Sequence, residues 1–189
     1  MTDWPVKVRF GGLGGQGLVT MGAVLAEAGS LCGLQVAASQ AYGSRARGGA
    51  TRSDVILSAE EIDFPHVIEP DLLLVLAQEA YELYSPEVAE GGVILADDFF
   101  VKVKKLQGIR QLMVAGTSTA VSQVGNKLAA NFVMFGSLLG FTELVGHDQV
   151  VKAIENIVRE RFHDINKKAL ELGIELGKQL EKTEGGAWR

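Results

Sequence analysis

Five of the seven residues in Gly11-Gly12-Leu13-Gly14-Gly15-Gln16-Gly17 lack a side chain. The stretch follows a short apolar strand pattern, Val6 to Phe10, and opens a long helical pattern. It therefore brings bare backbone amides and the positive end of a helix dipole to the carboxyl edge of a sheet, where a phosphate can sit. Gln16 is placed either to donate to such a phosphate or to cap the helix. Roughly one βα unit later, Tyr42-Gly43-Ser44-Arg45-Ala46-Arg47-Gly48-Gly49 forms a second glycine loop, this one carrying two guanidinium groups. Arg45 and Arg47 are two apart, so in an extended loop both project to one side, with Arg52 close behind on the next strand. Guanidinium forks match phosphate oxygens, and Gly48-Gly49 lets the main chain approach closely. Salt bridges within the protein or to a partner subunit are the competing use of the same arginines. Tyr42 either stacks on an adenine or packs in the core.

Gly12-Leu13-Gly14-Gly15-Gln16-Gly17 satisfies the dinucleotide fingerprint, with a strand before it and a helix after it. The acidic residue that would hold a ribose hydroxyl should end the second strand, yet that strand runs into Ala38, Ser39 and Gln40. Ordinary NAD binding thus loses its main polar anchor. His66, His147 and His163 are scattered without ligand or catalytic spacing, and read as surface or core histidines. The paired acids Glu60-Glu61 and Asp97-Asp98 adjoin turns and read as solvated carboxylates. Cys32, near a helix end among apolar neighbours, reads as inert packing. The residues supply phosphate-binding equipment without an acid-base pair, a metal site or an evident nucleophile.

The bulk properties narrow the class. With 189 residues and 47% hydrophobic composition the chain suits one domain, residues 1–189, with an ample core. Lys and Arg number 18 against 23 Asp and Glu, a net charge of -5, and no basic run tracks a nucleic-acid backbone. A single cysteine rules out an internal disulfide and cannot supply the thiolates of an iron–sulfur cluster. The start MTDWPVKV lacks the apolar core of a signal peptide, and no apolar run is long enough to span a bilayer. The most apolar segment, residues 128–144, is interrupted by Asn131, Ser137, Thr142 and Glu143, so a buried helix or subunit contact is expected there. The expected location is the cytoplasm.

Elements that would position these residues follow from periodicity. Strands are expected at 5–10, 34–38, 51–58, 71–77, 93–96 and 111–115, with Asp71 to Ala77 covered on both faces. A helix over 17–32 would bury Val19, Ala23, Ala26 and Leu31, and a short helix would pass through Tyr81 and Tyr84. Thr117 or Ser118 is an available N-cap. Helices are expected over 128–144, 148–162 and 166–180, with Asp148 and Asp164 as caps. Gly136 and Gly140, four apart on one helical face, permit close approach of another backbone, with ordinary helix packing as the favoured reading. The expected fold is a three-layer, Rossmann-like α/β domain with a mostly parallel or mixed sheet and a helical C-terminal third.

At its two loops the chain resembles the gamma subunit of the 2-oxoacid:ferredoxin oxidoreductases, whose hallmarks are a GGxGGQG loop near the start and a later Tyr-Gly-x-x-x-Arg-Gly-Gly segment. The resemblance extends through the Asp71 strand and the Asn126 to Gly140 region. The wording RGGATRSDVILS followed by EEIDFP is most similar to the 2-oxoglutarate version, with pyruvate and branched-chain versions as close relatives. Many relatives have Glu where this chain has Arg45, so Arg47 matches the motif and Arg45 departs from it.

The resemblance implies a multisubunit enzyme that oxidatively decarboxylates a 2-oxoacid, makes the acyl-CoA and passes electrons to ferredoxin. Thiamine diphosphate, magnesium and iron–sulfur clusters would sit on partner subunits, and this chain would contribute to coenzyme A binding and assembly without being catalytic alone. The coenzyme would meet Gly12, Gly14, Gly15, Gln16, Gly17, Tyr42, Arg45, Arg47, Gly48 and Gly49. An NADP-dependent reductase, its arginines reading a 2'-phosphate, and a purely structural subunit are the competing functions. Neither nucleic acid nor membrane is an expected partner, while an isolated chain has a route to self-association through surface meant for partners.

Overall fold

The computed structural model describes residues 4–41, 49–183 and 188. Its strands are β1 (Val6–Leu13), β2 (Gln35–Ala41), β3 (Ala50–Ser58), β4 (Leu72–Val75), β5 (Val93–Asp97) and β6 (Arg110–Val114). They form one sheet in the order β2-β3-β1-β4-β5-β6. β1, β4, β5 and β6 run parallel, whereas β3 is antiparallel to both β1 and β2, so the sheet is mixed.

Helices α1 (Leu18–Leu31) and α4 (Ala130–Thr142) cover one face of the sheet, and α5 (His147–Ile157) packs against α1. Val8, Phe10, Leu72, Leu74, Leu95 and Leu112 point into that layer. The short α2 (Gln78–Tyr84) lies on the other face, against Leu73, Val75, Ile94 and Ala96. Alternation of side chains along β4 therefore serves two cores, which is why its sequence is apolar throughout. No helix among the described residues is long and apolar enough to cross a membrane.

α1 buries Leu18, Met21, Gly22, Val24, Leu25, Ala28 and Gly29, a different line from the stripe expected from hydropathy. The cause is steric. A Cβ at Gly22 would lie 2.1 Å from Ser53 Oγ and one at Gly29 would lie 2.5 Å from Leu57 Cδ2, so the helix seats its glycines directly on the sheet.

Beyond β6 the short helix α3 (Gly116–Thr119) is followed by a π-turn over Ala120–Val124 and a 3-10 turn over Lys127–Ala129 before α4 begins. Neither Thr117 nor Ser118 caps α3 with its side chain; the Thr117 hydroxyl is committed to Asp97 instead. α5 ends at Ile157, and a 3-10 turn precedes α6 (His163–Thr183). Asp148 and Asp164 lie in first turns rather than at caps, where a carboxylate still favours the helix dipole.

α6 lies across the outside of α4 along a seam of glycines. A Cβ at Gly136 would come within 2.2 Å of Leu170 O, at Gly140 within 2.2 Å of Ile174 O, and at Gly173 within 2.1 Å of Val133 O. The two backbones are thus in contact, closer than any side chain permits. Gly136 and Gly140 thus serve a close backbone approach, with α6 as the partner, rather than the ordinary helix packing favoured from the sequence. Gly173→Ala should destabilise the fold by about 1–3 kcal/mol through overpacking, read from the urea midpoint.

His147, at the start of α5, is tied to α6 by Nε2 at 2.5 Å from Glu171 Oε1, with Asp148 at Nδ1. Hydrogen bonds to Glu171 and then Asp148 raise its pKa above the ordinary histidine value. A raised folded-state pKa means that this tie contributes fully below the unfolded pKa and fades as pH rises through the folded one. An NMR titration should place the His147 midpoint above that of a free histidine, and Glu171→Gln should bring it down.

Candidate functional site

β1 carries the first glycine motif further than its apolar run suggested. Gly11 and Gly12 are strand residues, paired with Arg52 and Thr51 of β3, and the strand ends only at Leu13 opposite Ala50. Both must be small: a Cβ at Gly11 would lie 3.0 Å from Tyr84 Cδ2, and one at Gly12 would lie 2.4 Å from Gln16 Oε1. The turn proper is Gly14 to Gly17, with Gly15 at φ 90° and Gly17 at φ 78°, the left-handed region that glycine enters at no steric cost.

Gly17 is the N-cap of α1 and supplies no side-chain cap, so the first amides of that helix have no partner from a cap side chain. A Cβ added at Gly14 or Gly15 meets nothing within 4 Å, so these two backbones face open space. At Gly17 the same atom would strike Asn131 Nδ2 at 2.2 Å.

Gln16 acts within the loop. Its Oε1 accepts from Leu13 N at 2.6 Å and its Nε2 donates to Leu76 O at 3.0 Å, tying the turn to the end of β4. Of the two expected uses, the structure excludes the helix cap, since α1 has no side-chain cap and the Gln16 side chain braces the turn.

The second loop is placed by strand register. β2 and β3 form an antiparallel pair with Ala41 opposite Arg52, and Ala50 lies opposite Leu13. Both ends of the connection between them therefore emerge at the carboxyl end of β1, beside the glycine turn. Tyr42, Arg45, Arg47 and Gly48 lie outside the described residues. Gly49 is described, and its carbonyl faces the Thr51 hydroxyl at 3.5 Å. A shallow depression of about 260 Å³ runs between Thr51 and the turn residues Gly14, Gly15 and Gly17. Arg52 points away from it: its guanidinium approaches Asp54 at 3.4 Å and lies 5.8 Å from the Tyr84 ring centroid. Arg52 thus follows the salt-bridge alternative.

On the other flank of the turn lies a cleft of about 390 Å³ over the carboxyl ends of β1, β4, β5 and β6. Gly15, Gly17, Thr117, Asn126, Lys127 and Asn131 are among its walls. α1 leaves β1 on one face and α2 leaves β4 on the other, so the crevice opens where the chain changes direction, the usual ligand position in an open α/β sheet. Asp97 fixes one wall. Fully buried, it accepts from Thr117 N at 3.0 Å, Thr117 Oγ1 at 2.6 Å and Phe99 N at 2.9 Å. Of the paired acids read as solvated, Asp97 is thus structural. Partial desolvation, then the charge of Asp97, pushes the neighbouring Asp98 carboxyl up.

Lys127 is a wall residue that sequence reasoning passed over, because it falls between the elements that periodicity detects. Its Nζ lies 4.7 Å from the Phe100 ring centroid and 5.8 Å from that of Phe99. Asn126 begins the same turn, its Oδ1 accepting from Leu128 N at 2.9 Å. Among the described residues no group of His, Cys, Asp and Glu is arranged to hold a metal ion. Cys32 is exposed at the end of α1, and His147 and His163 serve helix contacts. The arrangement sets bare glycine backbone and the Lys127 ammonium around one cleft, a chemistry suited to an anion, and among the described residues it places no cysteine or histidine beside it.

Comparison with known proteins is consistent across sequence and structure. The family model described as pyruvate ferredoxin/flavodoxin oxidoreductase matches residues 7–176. The 2-oxoglutarate synthase subunit KorC of Methanocaldococcus jannaschii is 37% identical over 92% of this chain and 95% of that one. The keto/oxoacid ferredoxin oxidoreductase gamma subunit of Geobacter sulfurreducens superposes with a TM-score of 0.81 at 36% identity, covering 92% of this chain and 99% of that one. A 2-oxoglutarate:ferredoxin oxidoreductase of Magnetococcus marinus, solved with 2-oxoglutarate, coenzyme A and succinyl-CoA bound, superposes with a TM-score of 0.85 over 98% of this chain and 33% of that one. At 20% identity that likeness speaks to the fold alone.

The Asp97 brace is open to test. Asp97→Asn keeps the volume but confronts Thr117 or Phe99 with an amide donor, and should cost about 1–3 kcal/mol in urea unfolding.

Proposed function

This chain belongs to the pyruvate ferredoxin/flavodoxin oxidoreductase family, as a gamma-type subunit of a 2-oxoacid:ferredoxin oxidoreductase complex, and from that premise we propose that it holds the phosphates of coenzyme A at the carboxyl edge of its sheet. The 2-oxoglutarate synthase subunits among its relatives favour 2-oxoglutarate as the acid that the complex consumes. Residues 1–189 are read as a single gamma-type domain.

The observation that carries the reading is the β1–β3 register. By setting Leu13 opposite Ala50, it brings the glycine turn and the strand ends that flank residues 42–48 to one edge. Bare amides at Gly14 and Gly15, the start of α1 and the Lys127 ammonium give that edge the positive character that a diphosphate or ribose phosphate requires. Gly12 and Gly17 keep the turn close to its neighbours, Gln16 braces it, and Gly48 and Gly49 let the second loop approach. Arg47, which matches the family motif, is assigned the principal phosphate contact. Arg45 is assigned an auxiliary one, and Tyr42 stacking on the adenine.

Bound coenzyme A supplies the thiol that takes the acyl group. The residues of this chain orient its charged end and keep it at the sheet edge. Thiamine diphosphate, magnesium and the iron–sulfur clusters are assigned to other subunits, since a lone exposed cysteine cannot hold a cluster. Electrons pass to ferredoxin through the complex.

Arg47→Ala in the assembled complex should raise the KM for coenzyme A roughly 10- to 100-fold, the value of a charge-assisted contact, while leaving the KM for the 2-oxoacid unchanged. An unaltered coenzyme A KM would sink the phosphate clamp. A variant that disturbs assembly with coenzyme A dependence intact would point to a purely structural role.

A further inference from the structure

The connection between β3 and β4, residues 59–71, contains neither helix nor strand and is far longer than most links in a compact α/β domain. It is nonetheless held firmly from beneath. Fully buried Arg9 donates from Nη2 to Val67 O at 2.7 Å, Val67 itself is 6% exposed, and the Ser58 hydroxyl receives Glu60 N at 3.0 Å. A buried guanidinium is thus used to fix a loop whose outer side is apolar and acidic. Phe64 is 58% and Ile68 67% exposed, and Glu60, Glu61 and Asp63 are exposed beside them.

Together with Trp4 these residues line a groove of about 540 Å³. None of the three carboxylates forms an ion pair with a described residue. The groove lies at the amino end of β1 and the far end of antiparallel β3, opposite the glycine turn. Whatever fills it leaves the carboxyl-edge cleft free.

Apolar side chains this exposed, on a fixed backbone and rimmed by three carboxylates against the single lysine Lys7, suit an occupant that is apolar at its centre and net positive at its edges. We propose that the groove is the docking site for a cationic segment of another subunit of the oxidoreductase complex. One apolar side chain of that segment seats between Trp4 and Phe64, and its lysines or arginines meet Glu60, Glu61 and Asp63. The inference rests on membership of the complex but not on where coenzyme A binds.

The test is association of the full chain with the remaining purified subunits, titrated at low and high salt. Wild-type affinity should fall with salt. The combined variant Glu60→Gln, Glu61→Gln, Asp63→Asn should bind roughly tenfold more weakly at low salt, with the gap closing at high salt. Phe64→Ser with Ile68→Ser should weaken association at both. All five positions are exposed, so both variants should melt with the wild type, and complexes formed at higher concentration should keep the wild-type KM for coenzyme A. Wild-type affinity in both variants overturns the proposal. So does loss of self-association with partner binding intact, which would assign the groove to a second copy of this chain. Arg47→Ala should leave this association untouched, so failure of the docking surface and failure of the coenzyme A reading are separable.

Discussion

A positive charge sealed inside the sheet governs the geometry of this molecule. Arg9 has no exposure, and its guanidinium is held by Asp54 at 2.7 and 3.0 Å, by Glu87 and by the Val67 carbonyl, with the Tyr84 ring centroid 5.4 Å away. Burial by itself would lower its pKa. The hydrogen bonds and charge of Asp54 and Glu87 outweigh that and hold it above the usual value. An uncompensated charge in such a place costs several kcal/mol, so the carboxylate must come to it. Sliding β3 by one residue would turn Asp54 to the opposite face and leave Arg9 alone. The ion pair therefore excludes the neighbouring registers, and the register is what brings Leu13 beside Ala50 and so sets the end of β3 next to the first glycine turn.

Most groups that look chemically active in the described part of the chain are used in this structural way. Asp54 and Glu87 neutralise Arg9, Arg52 joins them over Tyr84, Asp97 organises the loop after β5, and His147 links α5 to α6. The groups suited to recognition lie elsewhere, in backbone amides left bare by glycine and, among the described residues, in Lys127 beside them. Such a division suits a subunit that presents a coenzyme to chemistry housed on another chain. The glycines of α4 and α6 complete it from behind. They let α6 lie directly on α4, whose Phe132, Val133 and Phe135 are buried, and so back the helix that carries Asn131.

The elements that were legible beforehand are those whose burial pattern is simple. β4 reads as a covered strand because both its faces meet apolar layers, and the turn after β1 reads as a helix entry because its glycines fall between two clear periodicities. The α1 stripe was not legible, since the most deeply seated positions there are Gly22 and Gly29, which carry no hydropathy signal. The break of the helical segment before α4 into π and 3-10 turns escaped for a similar reason. Its residues mix Ala and Val with Ser122, Gln123, Asn126 and Lys127, and such a composition does not distinguish one helical hydrogen-bond spacing from another. Lys127 gained its place in the cleft from that break.

By itself the sequence determined the class of fold, the existence of two glycine loops suited to phosphate, and the family to which those loops belong. Such features are local: they depend on residue type, spacing and the strand or helix on either side. Only the tertiary structure decided that β3 returns antiparallel beside β1, that Gln16 braces its own turn, that Arg52 leaves the candidate site for Asp54, and that Lys127 enters it. These outcomes depend on which distant residue lies opposite, and that is set by pairing a buried charge and packing two faces of a sheet at once, conditions that no short stretch of sequence contains.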